Sequence, residues 1–149
     1  MAFIGLSLCF LVSCQNKEKI TEKQQETQQT VQTVPGAGNA WKAIKLIAKS
    51  KTDLNDKGKE FEVEIGGDSV LIPNSTLNIK AEEFFPDFFM DGQNKAASKS
   101  VSLNNPAVRI SVEENGKSIY KGWLFANYPD VHEFPHESIR ILLKDYVKK

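Results

Sequence analysis

Cysteine is nearly missing from this chain. Its 149 residues hold two, Cys9 and Cys14, both within the first fourteen positions. From Gln15 onward there is no thiol, which excludes disulfide scaffolds, cysteine nucleophiles, thiol redox chemistry and Cys-type zinc sites in that part. Covalent c-type haem is excluded with them, because it needs a CxxCH motif. Neither sign of charge predominates: 19 Lys and Arg balance 19 Asp and Glu, for a formal net charge of zero. No basic stripe with interleaved aromatics occurs, so nucleic acid is not an expected partner. The sequence also has no glycine-rich phosphate loop, no GxSxG elbow and no apolar run of the roughly 20 residues that span a bilayer.

The first fourteen residues, MAFIGLSLCFLVSC, carry no charge. The apolar stretch from Phe3 to Val12 has the length of a signal-peptide h-region. It ends in Leu11-Val12-Ser13-Cys14, which resembles a bacterial lipobox. On that reading residues 1–13 are removed and Cys14 becomes an acylated first residue, with more than the single chain that gives only marginal anchoring. The alternative is a soluble protein with a buried apolar N-terminal segment, but the chain turns abruptly polar after Cys14. The Lys or Arg that normally opens a signal peptide is expected to lie upstream of Met1. Gln15, rather than Asp, after the lipidated cysteine resembles the sorting signal for the periplasmic face of the outer membrane. Residues 15–40, QNKEKITEKQQETQQTVQTVPGAGNA, are polar, Gln-rich and free of aromatics. Such a run cannot bury enough apolar surface to offset its ordering entropy, and reads as a tether spanning on the order of 30 Å. Pro35-Gly36-Ala37-Gly38 interrupts the chain, so residues 41–149 are expected to form the folded domain.

Within 41–149 the dominant period is two. Phe61, Val63 and Ile65 alternate with Glu60, Glu62 and Glu64, as in a half-buried strand. Gly66-Gly67 and the apolar run from Ser69 to Ile72 suggest that this strand turns back as a hairpin. Leu77 and Ile79 alternate further on, as do Ile139, Ile141 and Leu143, and WKAIKLIAK supplies a first strand, with a short helix as the alternative there. Asn115-Gly116 is a type I′ turn signal between two alternating runs. A two-residue loop there sets Glu114 opposite Lys117, Val112 opposite Ile119 and Val108 opposite Trp123. Lys121 then falls on the apolar face, which a bulge at Gly122, or a short exposed end to that sheet face, would relieve. No long 3.6-residue period occurs, so the expectation is an all-β domain, a small antiparallel β-sandwich or barrel.

Four stretches together resemble a known family: VPGAGNAWKAIKL (34–46), IPNSTLNIKAEEFFPDF (72–88), NNPAVRISVEENGKSIYKGWLFANYPDVHEFPH (104–136) and SIRILLKDY (138–146). They look like the bacterial envelope family called domain of unknown function 2155, whose members pair a signal peptide or lipobox with a β-rich domain. The GWLFANYPDVHEFPH block makes the likeness specific. The resemblance implies a fold and a compartment but no activity. A fainter likeness links Gly92, Ser98 or Ser100, Asn105-Pro106, the Glu114–Lys117 turn and Gly122 to the extracytoplasmic β-domain of ResB-type cytochrome c biogenesis proteins. The membrane spans of that family, and the histidines expected within them, have no counterpart here.

His132, Glu133 and His136 form the set closest to metal ligands, but Pro135 prevents the helix that would bring both imidazoles to one face. The expected arrangement is a proline-stiffened corner, with Phe134 in the core and the histidines bonded to local backbone, and no metal or cofactor. Trp123 and Phe125, two apart, share a face and are expected to pack opposite Val108. Phe84, Phe85, Phe88 and Phe89 surround Pro86 and cannot all enter one core by simple alternation; overlapping core and loop packing is one reading, and an exposed aromatic patch that would mark a partner or membrane surface is the other. Candidate partner-binding residues are therefore Phe84, Phe85, Phe88, Phe89, Trp123, Phe125, Tyr128, His132, Phe134 and His136, with Cys14 as the lipidation site. Ser98, Ser100 and Asp87 could act in catalysis only with a histidine beside them. The sequence points to a non-catalytic binding or assembly module, lipid-anchored in the bacterial envelope, with an envelope protein as partner and any small-molecule ligand unidentified. A haem-handling accessory factor and an envelope hydrolase are the alternatives.

Overall fold

Alternating apolar and polar side chains favour strands because one face can be buried while the other meets water. The computed structural model describes residues 31–149. Residues 1–13, read from the sequence as a signal peptide, Cys14, read as the lipidation site, and residues 15–30 of the expected tether lie outside the described residues. The strands are β1 (Trp41–Ser50), β2 (Lys59–Glu64), β3 (Val70–Leu71), β4 (Leu77–Phe85), β5 (Phe88–Met90), β6 (Ala96–Ser98), β7 (Ala107–Glu114), β8 (Lys117–Phe125) and β9 (Ile139–Lys148). They form a three-stranded sheet, β2-β1-β9, a four-stranded sheet, β3-β4-β7-β8, and a small β5-β6 hairpin, all with antiparallel pairing. The two larger sheets share one core. Ile44, Leu46, Val63 and Ile141 come from the first, and Leu77, Ile79, Val108, Ile110 and Val112 from the second. This is a small all-β domain of sandwich type.

The sides of the sandwich are closed differently. On one side β2 meets β4 through a parallel bridge, Ile65 to Ala81, and the Gly66 N–H donates to the Ala81 carbonyl at 2.8 Å. The Gly66-Gly67 step is therefore a crossover between sheets and not the expected hairpin. Alternation marks a strand without naming its neighbour, and β3 is only two residues long and pairs with β4. On the other side the segment 126–138 runs between the β8 and β9 edges. Phe134, 1% exposed, fills that gap and meets Tyr120 edge-on at 5.3 Å.

The β7–β8 register corrects the sequence reading. Glu114 faces Lys117 as expected and Glu113 faces Ser118, but Val112 then faces Tyr120 and not Ile119. Ile119 is the extra residue of a bulge, so the bulge lies beside the turn and not at Gly122. A one-residue shift exchanges the two faces of a strand. Val108 consequently faces Leu124, and Trp123 faces Arg109 on the outside. The exchange buries Leu124, half-buries Tyr120 against the core and carries Lys121 out to Glu82, at the cost of exposing Ile119. Gly122 is required where it stands, because an added Cβ would lie 2.1 Å from the Tyr120 hydroxyl, which folds across it.

A second bulge, between Ala81 and Glu83 of β4, keeps both Ala81 and Phe84 in the core despite their odd spacing. The packed chain also begins earlier than Trp41. The Val34 N–H donates to the Ser98 carbonyl at 2.8 Å, and Ala37 is buried in a 3-10 turn, Ala37–Ala40. Gly38 passes so close to β4 that a Cβ there would sit 2.1 Å from the Phe84 carbonyl oxygen.

Candidate binding surfaces

The outer face of the four-stranded sheet carries aromatic rings outside the main core. Phe85 leaves β4 outward because its neighbour Phe84 points inward, and the Ile119 bulge sends Trp123 and Phe125 to the same side. Phe88, from β5, folds over them. Ring centroids lie 5.5 Å apart for Phe85 and Trp123, 4.9 Å for Phe88 and Trp123, and 5.1 Å for Phe88 and Phe125. All four are half-buried. His132 adds its imidazole 5.8 Å from Phe125, with its backbone in the left-handed region at φ 60°. The same loop exposes Tyr128, at 58%, and Val131, at 51%.

A charged band borders the rings. Arg109 stands over Trp123 at 6.0 Å and pairs with both glutamates of the β4 bulge, Nε to Glu82 at 3.0 Å and Nη2 to Glu83 at 3.0 Å. Lys121 reaches the other Glu82 oxygen at 2.9 Å. Partial burial pushes the Glu82 carboxyl up, but its hydrogen bond with Lys121 and the charges of Lys121 and Arg109 outweigh that and hold it below the usual carboxylate value. The band is nearly charge-neutral. It fixes Arg109 as a flat donor beside an apolar floor.

The other sequence candidates separate from this surface. Phe84 is core, 5.7 Å from Trp41 and 5.2 Å from Tyr146, and Phe134 is core as well, so neither can meet a partner. The expected packing of Trp123 and Phe125 against Val108 is replaced by their packing with Phe88 on the outside. Phe89 is half-buried under the Lys99 ammonium at 5.4 Å. His136 stacks on Phe134 at 5.6 Å, and its Nδ1 accepts the Ser138 and Ile139 N–H groups at 3.1 and 3.2 Å. His132 offers its carbonyl to the Tyr120 hydroxyl at 3.3 Å. Glu133 pairs with Lys51 and Arg140. The three residues of the HEFPH set thus have separate neighbours. Among the described residues no three His, Cys, Asp or Glu gather around a point that could hold a metal ion.

Asp87, named from the sequence only as a group that could act in catalysis beside a histidine, emerges as an organising residue. It is 8% exposed, and one carboxylate oxygen accepts from the Ser100 hydroxyl at 2.8 Å and from the Asn104 amide at 3.1 Å. Its N–H donates to Ser98 Oγ at 3.2 Å, and its carbonyl accepts from the Lys99 N–H at 3.0 Å. Asn105 ties β5 to the start of β7 by giving its amide to the Phe88 carbonyl at 2.9 Å. Among the described residues no hydrogen bond joins a histidine to Ser98, Ser100 or Asp87. The serines serve the hinge of the β5-β6 hairpin, which holds Phe88 over Trp123. The signal available in the sequence was the run of short polar residues from Ser98 to Asn105, dense in side chains that bond nearby backbone.

Each end of the sandwich opens into a cleft. The near end, where the chain enters at Val34, has one of about 470 Å³ between the 33–39 segment, Phe85 and β6. The far end has one of about 680 Å³ between the ends of β1 and β9 and the 73–76 turn. No family model, curated protein or solved structure matches this chain. Among the described residues no helix is long and apolar enough to cross a membrane.

Proposed function

We propose that this protein is a lipid-anchored binding module of the bacterial envelope, whose partner, another envelope protein, docks on the outer aromatic face. The observation that carries the docking part is the placement of Phe85, Phe88, Trp123 and Phe125 outside the core, beside Arg109 and exposed Tyr128 and Val131. Aromatic residues and arginine are enriched in interface hot spots because they bury large area and still offer polar contacts. The anchored part rests on the lipobox-like Leu11–Cys14 and the polar run that follows, and on the resemblance of 34–149 to an envelope family. The near end, from which the tether departs, lies beside the aromatic face. No observation favours haem handling or hydrolysis over this reading.

The test uses the full chain expressed with its N-terminus intact. Cys14→Ser is expected to move the protein from the membrane to the soluble fraction. Crosslinking in intact cells is expected to capture a defined partner with wild type, to weaken with Tyr128→Ala and to fail with Trp123→Ala, thermal midpoints showing that both variants remain folded. Membrane retention by Cys14→Ser overturns the anchor. Unchanged capture by folded Trp123→Ala overturns the docking face.

A further inference from the structure

The far-end cleft is lined by hydrogen-bonding groups of two kinds, those spent on the fold and those left over. Among the spent ones, Ser75 Oγ donates to the Ile72 carbonyl at 2.8 Å and accepts from the Leu77 N–H at 3.1 Å. Ser50 Oγ accepts two N–H groups of its own turn, and both Asp56 oxygens hold backbone N–H groups, from Ser50 at 2.6 Å and Gly58 at 2.8 Å. Those bonds, Ser50 foremost, hold the Asp56 carboxyl below the usual value, so it is ionised and already occupied.

What is left over consists mainly of donors. Asn74 gives its oxygen to Lys59 Nζ at 3.3 Å, which leaves its amide N–H groups. With Nδ1 of His136 accepting two backbone N–H groups, the proton of the neutral ring resides on Nε2. Ser138 contributes a hydroxyl, and Lys49 an ammonium. Among the described residues neither Lys49 nor Lys59 forms a salt bridge, whereas Lys51, Lys121 and Lys144 each do. The floor beneath is apolar, made by Leu77 and Ile139. The Asp56 carboxylate also lines the cleft and feels the charges of Lys49 and Lys59, so the lining is close to charge-neutral, and its unspent groups, being mainly donors, suit a ligand rich in acceptors.

We infer that the far-end cleft is a second binding site, one that takes a small soluble molecule through a phosphate or carboxylate group, with Lys49, Asn74, His136 and Ser138 as its contacts. It lies at the opposite end of the sandwich from the chain entry at Val34 and does not share residues with the aromatic face, so it can be occupied while a partner is docked.

The experiment is an amide-resolved NMR titration of the purified full chain at about pH 7 with inorganic phosphate, repeated with acetate and with sodium chloride at matched ionic strength. Saturable shifts at residues 74–76 and 136–139 are expected with phosphate and acetate, and none with chloride. Lys49→Gln is expected to weaken binding by about tenfold or more, the loss typical of one charge-assisted hydrogen bond. His136→Asn is the sharper variant. Its Oδ1 takes the place of Nδ1 and keeps the Ser138 and Ile139 bonds, so the thermal midpoint is expected to stay near wild type while phosphate binding is lost. No saturable shift, or unchanged binding in both variants, overturns the site. Displacement of phosphate by phosphatidylglycerol vesicles overturns the soluble ligand and assigns the cleft to a lipid headgroup.

Discussion

Tyr146 sits between Trp41 and Phe84, with ring centroids 5.9 and 5.2 Å away, and closes the near end of the core. Burial there pushes its hydroxyl up to about 12, and the neighbouring Asp145 charge adds to the push. A value raised above the ordinary 10.0 means that the folded state favours the neutral phenol. The stability linked to that preference is complete below pH 10 and is lost as pH rises from 10 toward about 12. Urea midpoints should therefore fall between about pH 9 and about pH 11 in wild type, and fall less in Tyr146→Phe. Tyr120 is also raised by burial, so some slope should persist in that variant. An identical slope in both proteins would show that Tyr146 ionises without cost to the fold.

At the scale of elements, strands follow alternation closely and bulges do not. The sequence marked the first strand, Phe61–Ile65, Leu77–Ile79, the Asn115-Gly116 hairpin and Ile139–Leu143, because each alternates over several residues. The bulge in β8 showed only through Lys121 and was set at Gly122 instead of Ile119, and the bulge at Glu82 was hidden, since one inserted residue leaves regular alternation on both sides and changes only its phase. The aromatic residues of the candidate surface were therefore recognised, but Trp123 and Phe125 were assigned to the wrong face. Asp87 was named only as a candidate for catalysis, and its structural role was missed because that role comes from residues 11 to 17 positions away. The bulge makes a strict prediction. Deleting Ile119 removes the extra residue and leaves every pair from Val112–Tyr120 to Ala107–Phe125 in register, so the variant should fold with Trp123 fluorescence unchanged. Gly122→Ala adds a single methyl group, yet it drives the Tyr120 ring off its seat against Phe134 and should cost about 1–3 kcal/mol in chemical denaturation. A larger loss from the Ile119 deletion than from Gly122→Ala would show that the bulge itself stabilises the sheet.

At the scale of the molecule, the sandwich core is held by contacts between two sheets, while the β5-β6 hairpin is held mainly by polar bonds around Asp87 and by Phe88 on the outer rings. Burying a polar network stabilises only while every member is paired, because each orphaned group bears its full desolvation cost. Asp87→Ala takes the shared acceptor from the half-buried Ser100 hydroxyl and the exposed Asn104 amide, which water can partly replace, and should cost about 1 kcal/mol. The loss should be local, since the main core gains no cavity and Trp41, the other tryptophan, stays packed against Phe84 and Tyr146. Limited proteolysis tests this directly. The exposed 92–95 loop should be cut faster in Asp87→Ala, and Trp123 emission should shift to the red while near-ultraviolet circular dichroism of the core persists. Hairpin opening would then be the step that uncovers the aromatic floor, and the same variant should alter the partner capture proposed for that face. If cleavage instead tracks global unfolding, the hairpin and sandwich form one cooperative unit, and the aromatic face meets its partner already formed.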